Sequence, residues 1–231
     1  MPLVQAVPSW APNNASPTHL TTISPTQPTS VLLVRAIFWN PGSSRTVFSN
    51  GTGTWTLLYD SLSYDGIPVA YFICLNPGGG TTQITADNNG TNSHLTVDVL
   101  EVSNIDTAVA PLIPANHNAQ SLVTAWTSSS ITLVAPSTFV IGFTAVGANV
   151  ATSVQGAGFT PVSAAGYSPV GNNINTAEGD VSFVEYGTFG PATLAATGTF
   201  SGAVNTYSFV IGLQELAAND GTYQLTSDLY F

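Results

Sequence analysis

The chain has 231 residues, 44% of them hydrophobic, so it can bury a sizeable core, yet only 6% are charged, against roughly a quarter in ordinary soluble proteins. Lysine is absent, Arg35 and Arg45 are the only strongly basic side chains, and twelve acids bring the formal net charge to −10. That balance excludes a nucleic-acid footprint, which needs clustered Lys and Arg to displace counterions, and argues against anionic membrane surfaces.

The remaining surface must be built from Thr, Ser, Asn, Gln and Gly. Such faces suit proteins that work outside cells or inside ordered assemblies, where packing then desolvates little charge. A single cysteine, Cys74, rules out an internal disulfide, and its apolar neighbours predict a buried, inert thiol. No apolar run approaches the ~20 residues of a spanning helix. The first ten residues lack the basic and apolar regions of a secretory signal.

In chain order, residues 1–30 are rich in Pro, Ser, Thr and Asn and cannot be helical. They are expected to form an extended arm lying on a neighbour, or else edge strands at 3–7 and 19–23. Residues 31–39 are apolar on both faces and predict a central strand, stopped by Asn40-Pro41-Gly42. Further strands are expected at 55–59, 68–75, 81–86 and 95–102, with a turn at Asp87-Asn88-Asn89-Gly90. Short strands at 121–125 and 130–134 precede 138–145, 159–164, 179–186, 192–200 and 206–214. No segment holds a 3.6-residue period with caps, so no helix is expected. Residues 217–231 form a separate tail or an extra strand.

The two halves answer one another. The segment from Pro28 aligns with that from Pro136, Trp55 with Phe159, the segment from Pro68 with that from Asp180, and Leu95-Thr-Val with Tyr207-Ser-Phe. The offsets lie between 104 and 112 residues. Four main strands per half make eight, which predicts an all-β fold: a two-sheet antiparallel β-sandwich of jelly-roll type with an internal duplication of about 110 residues. The half-repeats cover about 28–104 and 136–216, within one domain at 31–216.

The series Pro28-Thr-Ser-Val-Leu-Leu-Val, Gly53-Thr-Trp-Thr-Leu-Leu, Glu101-Val-Ser-Asn-Ile-Asp-Thr107 and the closing Tyr207-Ser-Phe-Val-Ile-Gly-Leu213 resembles a jelly-roll-like β-sandwich module of bacterial surface proteins and phage structural proteins. The resemblance covers roughly residues 3–216 and rests on framework and turn residues. It implies a fold more than a function.

No catalytic residue emerges. His19, His94 and His117 have no metal-ligand spacing, and Asp87–Asn92 lacks the carboxylates of a calcium loop. Neither Asp98 with Glu101 nor Glu178 with Glu185 sits in a recognisable acid motif, and there is no Gly-x-Ser-x-Gly elbow. No cofactor is expected. Arg35 and Glu101 interrupt apolar strands, which predicts a half-buried pair between them, or a Glu101 carboxylate accepting hydrogen bonds from the N–H groups of the turn that follows it. Trp10 and Trp126, with Tyr64 and Tyr167, are candidates for an interface or for stacking sugars, and Tyr223 and Phe231 for contacts by the tail. The expectation is a non-enzymatic virion protein, a capsid-decoration or tail-surface subunit contacting itself and other capsid or tail proteins. A carbohydrate-binding surface module for a host glycan, and a subunit of an extracellular filament, are the alternatives.

Overall fold

The computed structural model describes residues 2–38, 44–61, 68–89, 93–146, 153–162 and 181–217. Among them the chain is strand and turn, with no helix. The first half holds β1 (Leu3–Ser16), β2 (Thr18–Thr22), β3 (Val31–Phe38), β4 (Thr46–Ser49), β5 (Thr56–Asp60), β6 (Val69–Cys74), β7 (Gln83–Asp87) and β8 (Ser93–Val102). The second holds β9 (Asn118–Thr127), β10 (Ile131–Leu133), β11 (Thr138–Val146), β12 (Ser153–Gln155), β13 (Thr160–Pro161), β14 (Val181–Phe189), β15 (Ala192–Leu194) and β16 (Thr197–Gln214).

In the first half a five-stranded sheet runs β1-β8-β3-β6-β5, and a three-stranded sheet runs β2-β7-β4. Orders 1-8-3-6 and 2-7-4 are those of a jelly roll, with β5 displaced to the outer edge of β6. The second half repeats the plan with fused strands. Its main sheet runs β9-β16-β11-β14-β13, while β12 and the far end of β9 flank the first residues of β16. Thus β9 does the work of β1 and β2, and β16 that of β7 and β8. The pair β10-β15 is an addition.

Each half is therefore a small sandwich in its own right. The all-β antiparallel sandwich expected from the sequence is present, and among the described residues it is drawn from sixteen strands in four sheets rather than from eight main strands. The strands at 46–49 and 153–155 are too short for their sequence to show a period.

The two main sheets pack face to face. Val31, Leu33 and Ile37 of β3 and Leu100 and Val102 of β8 meet Phe139, Ile141 and Phe143 of β11 and Phe209, Ile211 and Leu213 of β16. Opposite faces of the same strands close the separate core of each half. Leu32, Val34 and Phe38 pack with Val47, Ile84 and Ala86 in the first, and Val140 and Val210 with Trp126, Leu133 and Phe200 in the second. This explains why β3, β6 and β11 are buried at every position. A strand wetted on neither face needs apolar side chains on both, each worth about 1.5–3 kcal/mol when fully buried.

Register sharpens the duplication. Arg35 lies opposite Asp98 and Tyr71, and Phe143 opposite Phe209 and Val184. With Arg35 answering Phe143, Asp98 therefore answers Phe209, and Glu101 answers Gly212 rather than Leu213. The sequence alignment slipped by one residue here, and a one-residue slip turns every side chain to the wrong face.

Residues 1–30 divide between β1, an edge strand on β8, and β2, an edge strand on β7. Pro8 and Pro12 are tolerated in β1 because an edge strand has one row of unpaired backbone groups. The segment between the halves runs along the end of β16, where Leu112 and Gly212 exchange backbone hydrogen bonds of 2.8 Å in both directions.

Candidate functional site

Both cationic side chains of the protein are inside it. Arg35 has 0% and Arg45 4% of its surface exposed. Arg35 projects from β3 into the seam between the main sheets. Its Nε donates to Asp98 Oδ2 at 2.7 Å, its Nη2 donates to the same oxygen, and Nη1 reaches Thr144 O of the second half at 3.1 Å. The guanidinium stands over the Phe143 ring, 5.3 Å from its centroid. Tyr71 stacks on Phe209 at 4.4 Å beside it, and burial pushes its phenol well above the usual range. This cluster ties one jelly roll to the other.

Arg35 and Glu101 do not pair. Asp98 and Glu101 are three apart on β8 and so face opposite sides of the sheet. Register sets Asp98 beside Arg35, and Glu101 turns toward the N-terminal turn. There it accepts the Gln27 backbone N–H at 2.7 Å, the Ser30 hydroxyl, and Gln5 Nε2 at 2.5 Å. Gln5 also exchanges hydrogen bonds with the backbone of Ser24, at 2.9 and 3.0 Å. Glu101 thus pins the first edge strand and the turn before β3. The backbone N–H it accepts belongs to Gln27, before β3, and not to the turn that follows Glu101.

Three further polar groups are local fasteners. Arg45 meets Asp60 at 2.7 Å and lies over Phe38. Burial lowers the arginine and raises the carboxyl, each opposed by the charge of the other. Ser9 and His19 share a 2.5 Å hydrogen bond between β1 and β2, and burial holds the imidazole below its ordinary value. Glu185, 3% exposed, has its pKa pushed up to about 7 by burial, which outweighs hydrogen bonds from the Gly156 and Thr197 backbones. Gly142 makes room for it. A Cβ there would stand 3.0 Å from Glu185 Cγ and 2.5 Å from Ala196 Cβ. Each of these groups holds one strand or turn against another.

The outer faces are different in kind. On the first jelly roll Leu20, Thr85 and Phe48 lie side by side across β2, β7 and β4. Leu20 is 51% and Phe48 50% exposed. On the second, Ala125, Thr199 and Val154 hold the matching positions across β9, β16 and β12, with Val154 58% exposed. The neighbouring outward positions are Thr18, Thr22, Thr46, Gln83 and Asp87 on one side and Thr127 and Thr197 on the other. Among these described positions Asp87 is the one carboxylate, in a chain of net charge −10. Since each outer sheet packs on the far side of its main sheet, the two faces look in opposite directions.

The sequence-predicted contacts fare unevenly. Trp126 is 3% exposed, on the inner face of β9 beneath Gly198, and so offers no platform. Alternation along a strand, not a loop, decides its direction. Trp10 belongs to β1, opposite Thr96, rather than to a loop. Tyr64, Tyr167, Tyr223 and Phe231, with the tail after residue 217, lie outside the described residues. Asp98 and the outer rows were missed. The signals available were an opposite charge in the partner strand for Asp98 and a Thr/apolar alternation in β2, β4 and β7 for the rows. No family model, no curated protein and no solved structure matches the chain.

Proposed function

We propose that the protein is a non-enzymatic structural subunit that works by packing against copies of itself, and that its setting is the surface of a virus particle, as a capsid-decoration or tail component. The observation that carries the reading is the pair of matching, almost uncharged outer faces in a chain whose every cationic side chain is buried. Like-charged subunits associate only through patches that keep their charges apart, and these two faces are such patches. Exposed apolar residues ringed by Thr present area with little desolvation cost. The outer face of one jelly roll would meet the outer face of the other in the next copy, and a repeated lattice would add avidity. The virion setting is supported by the resemblance of the framework motifs to phage structural modules.

Sedimentation velocity on the full chain tests the packing. We expect reversible self-association that strengthens as salt is raised, because screening relieves the repulsion between subunits of net charge −10 while the faces have few charges to screen. Phe48→Glu should abolish it. A chain that stays monomeric at all concentrations, or association that weakens with salt and ignores Phe48→Glu, would count against the proposal.

A further inference from the structure

Where β9 and β16 lose register, a cleft of about 400 Å³ opens, lined by Ala119, Gln120, Ser121, Asn205 and Tyr207. Its volume lies within the range of small-molecule sites, about 300–1,000 Å³. We propose that this cleft binds a single neutral sugar residue, held by the side-chain amides of Gln120 and Asn205.

The amides are oriented in advance. Asn205 Oδ1 accepts the Ser121 hydroxyl at 3.1 Å and the Leu122 N–H at 3.0 Å. Gln120 Oε1 accepts the Thr127 N–H at 2.9 Å. With both oxygens engaged by the chain, the NH2 ends are the groups left to offer, and they can only donate. Leu122, at φ +51° and 74% exposed, is held in the left-handed region at the rim. A non-glycine residue there is strained, and such strain gathers at binding sites.

The far wall is rigid and uncharged. Tyr207 is packed against His117, with ring centroids 6.0 Å apart, and Tyr59 and His117 Nδ1 share a 2.6 Å hydrogen bond. Burial lowers the His117 pKa, so the imidazole is neutral near pH 7. Among the described residues the lining holds no carboxylate for a cation, and both arginines are buried elsewhere, so an anion finds no counter-charge. What remains is a neutral ligand rich in acceptor oxygens, and a pyranose fits that description.

The two halves differ in sequence at the register position of the cleft. Ala119 lies opposite Tyr207 in β16, and Trp10 lies opposite the corresponding Thr96 in β8. In sequence, alanine stands in the second half where tryptophan stands in the first.

The test is saturation-transfer NMR on the full chain with the methyl glycosides of glucose, galactose, mannose, N-acetylglucosamine and N-acetylgalactosamine as probes. Two variants accompany the wild type. Ala119→Trp fills the cleft. Gln120→Glu keeps the oxygen that accepts from Thr127 and removes the donors. We expect at least one glycoside to bind, shifting the side-chain NH2 signals of Gln120 and Asn205. Each variant should weaken binding at least about tenfold, as loss of a hydrogen bond or exclusion would. If Ala119→Trp does not fold, Gln120→Glu decides alone. Absence of transfer to all five glycosides, or binding undiminished in the folded variants, would overturn the assignment. Because association through the outer faces is read separately by sedimentation, failure here leaves that reading standing.

Discussion

Truncating Asp98 to Ala would leave the Arg35 guanidinium buried between two sheets with its counter-charge gone. An unpaired buried charge costs about 3–5 kcal/mol, so urea unfolding of Asp98→Ala should show a loss of that size. The double variant Arg35→Met/Asp98→Leu should recover most of it, since apolar replacements of a buried pair are often neutral or better. A double variant as unstable as the single one would mean the pair contributes more than mutual neutralisation. Glu185 predicts a pH dependence. Its carboxyl ionises near 4.5 in the unfolded chain and near 7 in the folded one. Stability is therefore greatest below the lower value and falls across the window between them by up to about 1.4 kcal/mol per pH unit. Above the upper value it is level. Glu185→Gln should remove that fall, and equal slopes in thermal melts of wild type and variant from pH 4.5 to 7 would refute the assignment. Both groups show what residue-level reading of a sequence can and cannot reach. That Arg35 needed a partner followed from one charge inside an apolar strand. Which partner depended on strand register, which a sequence constrains only through alternation.

At the scale of the element, the edge strand β1 depends on side chains more than on its own propensity. Glu101 accepts hydrogen bonds from Gln5 of β1 and from Gln27 and Ser30 of the turn before β3, and Gln5 adds two with the Ser24 backbone. Bonds to a charged acceptor are worth about 1.5–3 kcal/mol each. Glu101→Ala should therefore speed hydrogen exchange in residues 3–9 by well over tenfold while β11 and β16 keep their protection. Uniform change across both halves would show that β1 is not a separate unit of opening. The central strands β3, β6 and β11 were readable because burial on both faces forces unbroken apolar runs. The strands β4 and β12 were not, because three or four residues of mixed polar and apolar character are equally at home in a turn. The duplication was legible in element order and blurred in register, since insertions between strands shift the offsets while each strand keeps its own alternation.

For the whole molecule, the order of layers matters most. Outer sheet, main sheet, main sheet and outer sheet stack in sequence, and the join in the middle is both apolar and ionic. Such a join resembles the interface of an obligate dimer made continuous by a linker. Separately expressed fragments 1–113 and 114–231 should accordingly be insoluble alone and recover strand content when co-refolded, as read by far-UV circular dichroism. Independent folding of either fragment would show that the shared core is dispensable.

A dimer of identical jelly rolls would present the same face at both poles. This chain has Leu20 and Phe48 at one pole and Ala125 and Val154 at the other, so a row joined pole to unlike pole has a head and a tail. Phe48→Glu spoils one end of each subunit and Val154→Glu the other. Either variant alone still carries a sound pole but no sound counterpart for it. Mixed together, each supplies what the other lacks, and the mixture should stop at pairs where the wild type continues into longer rows.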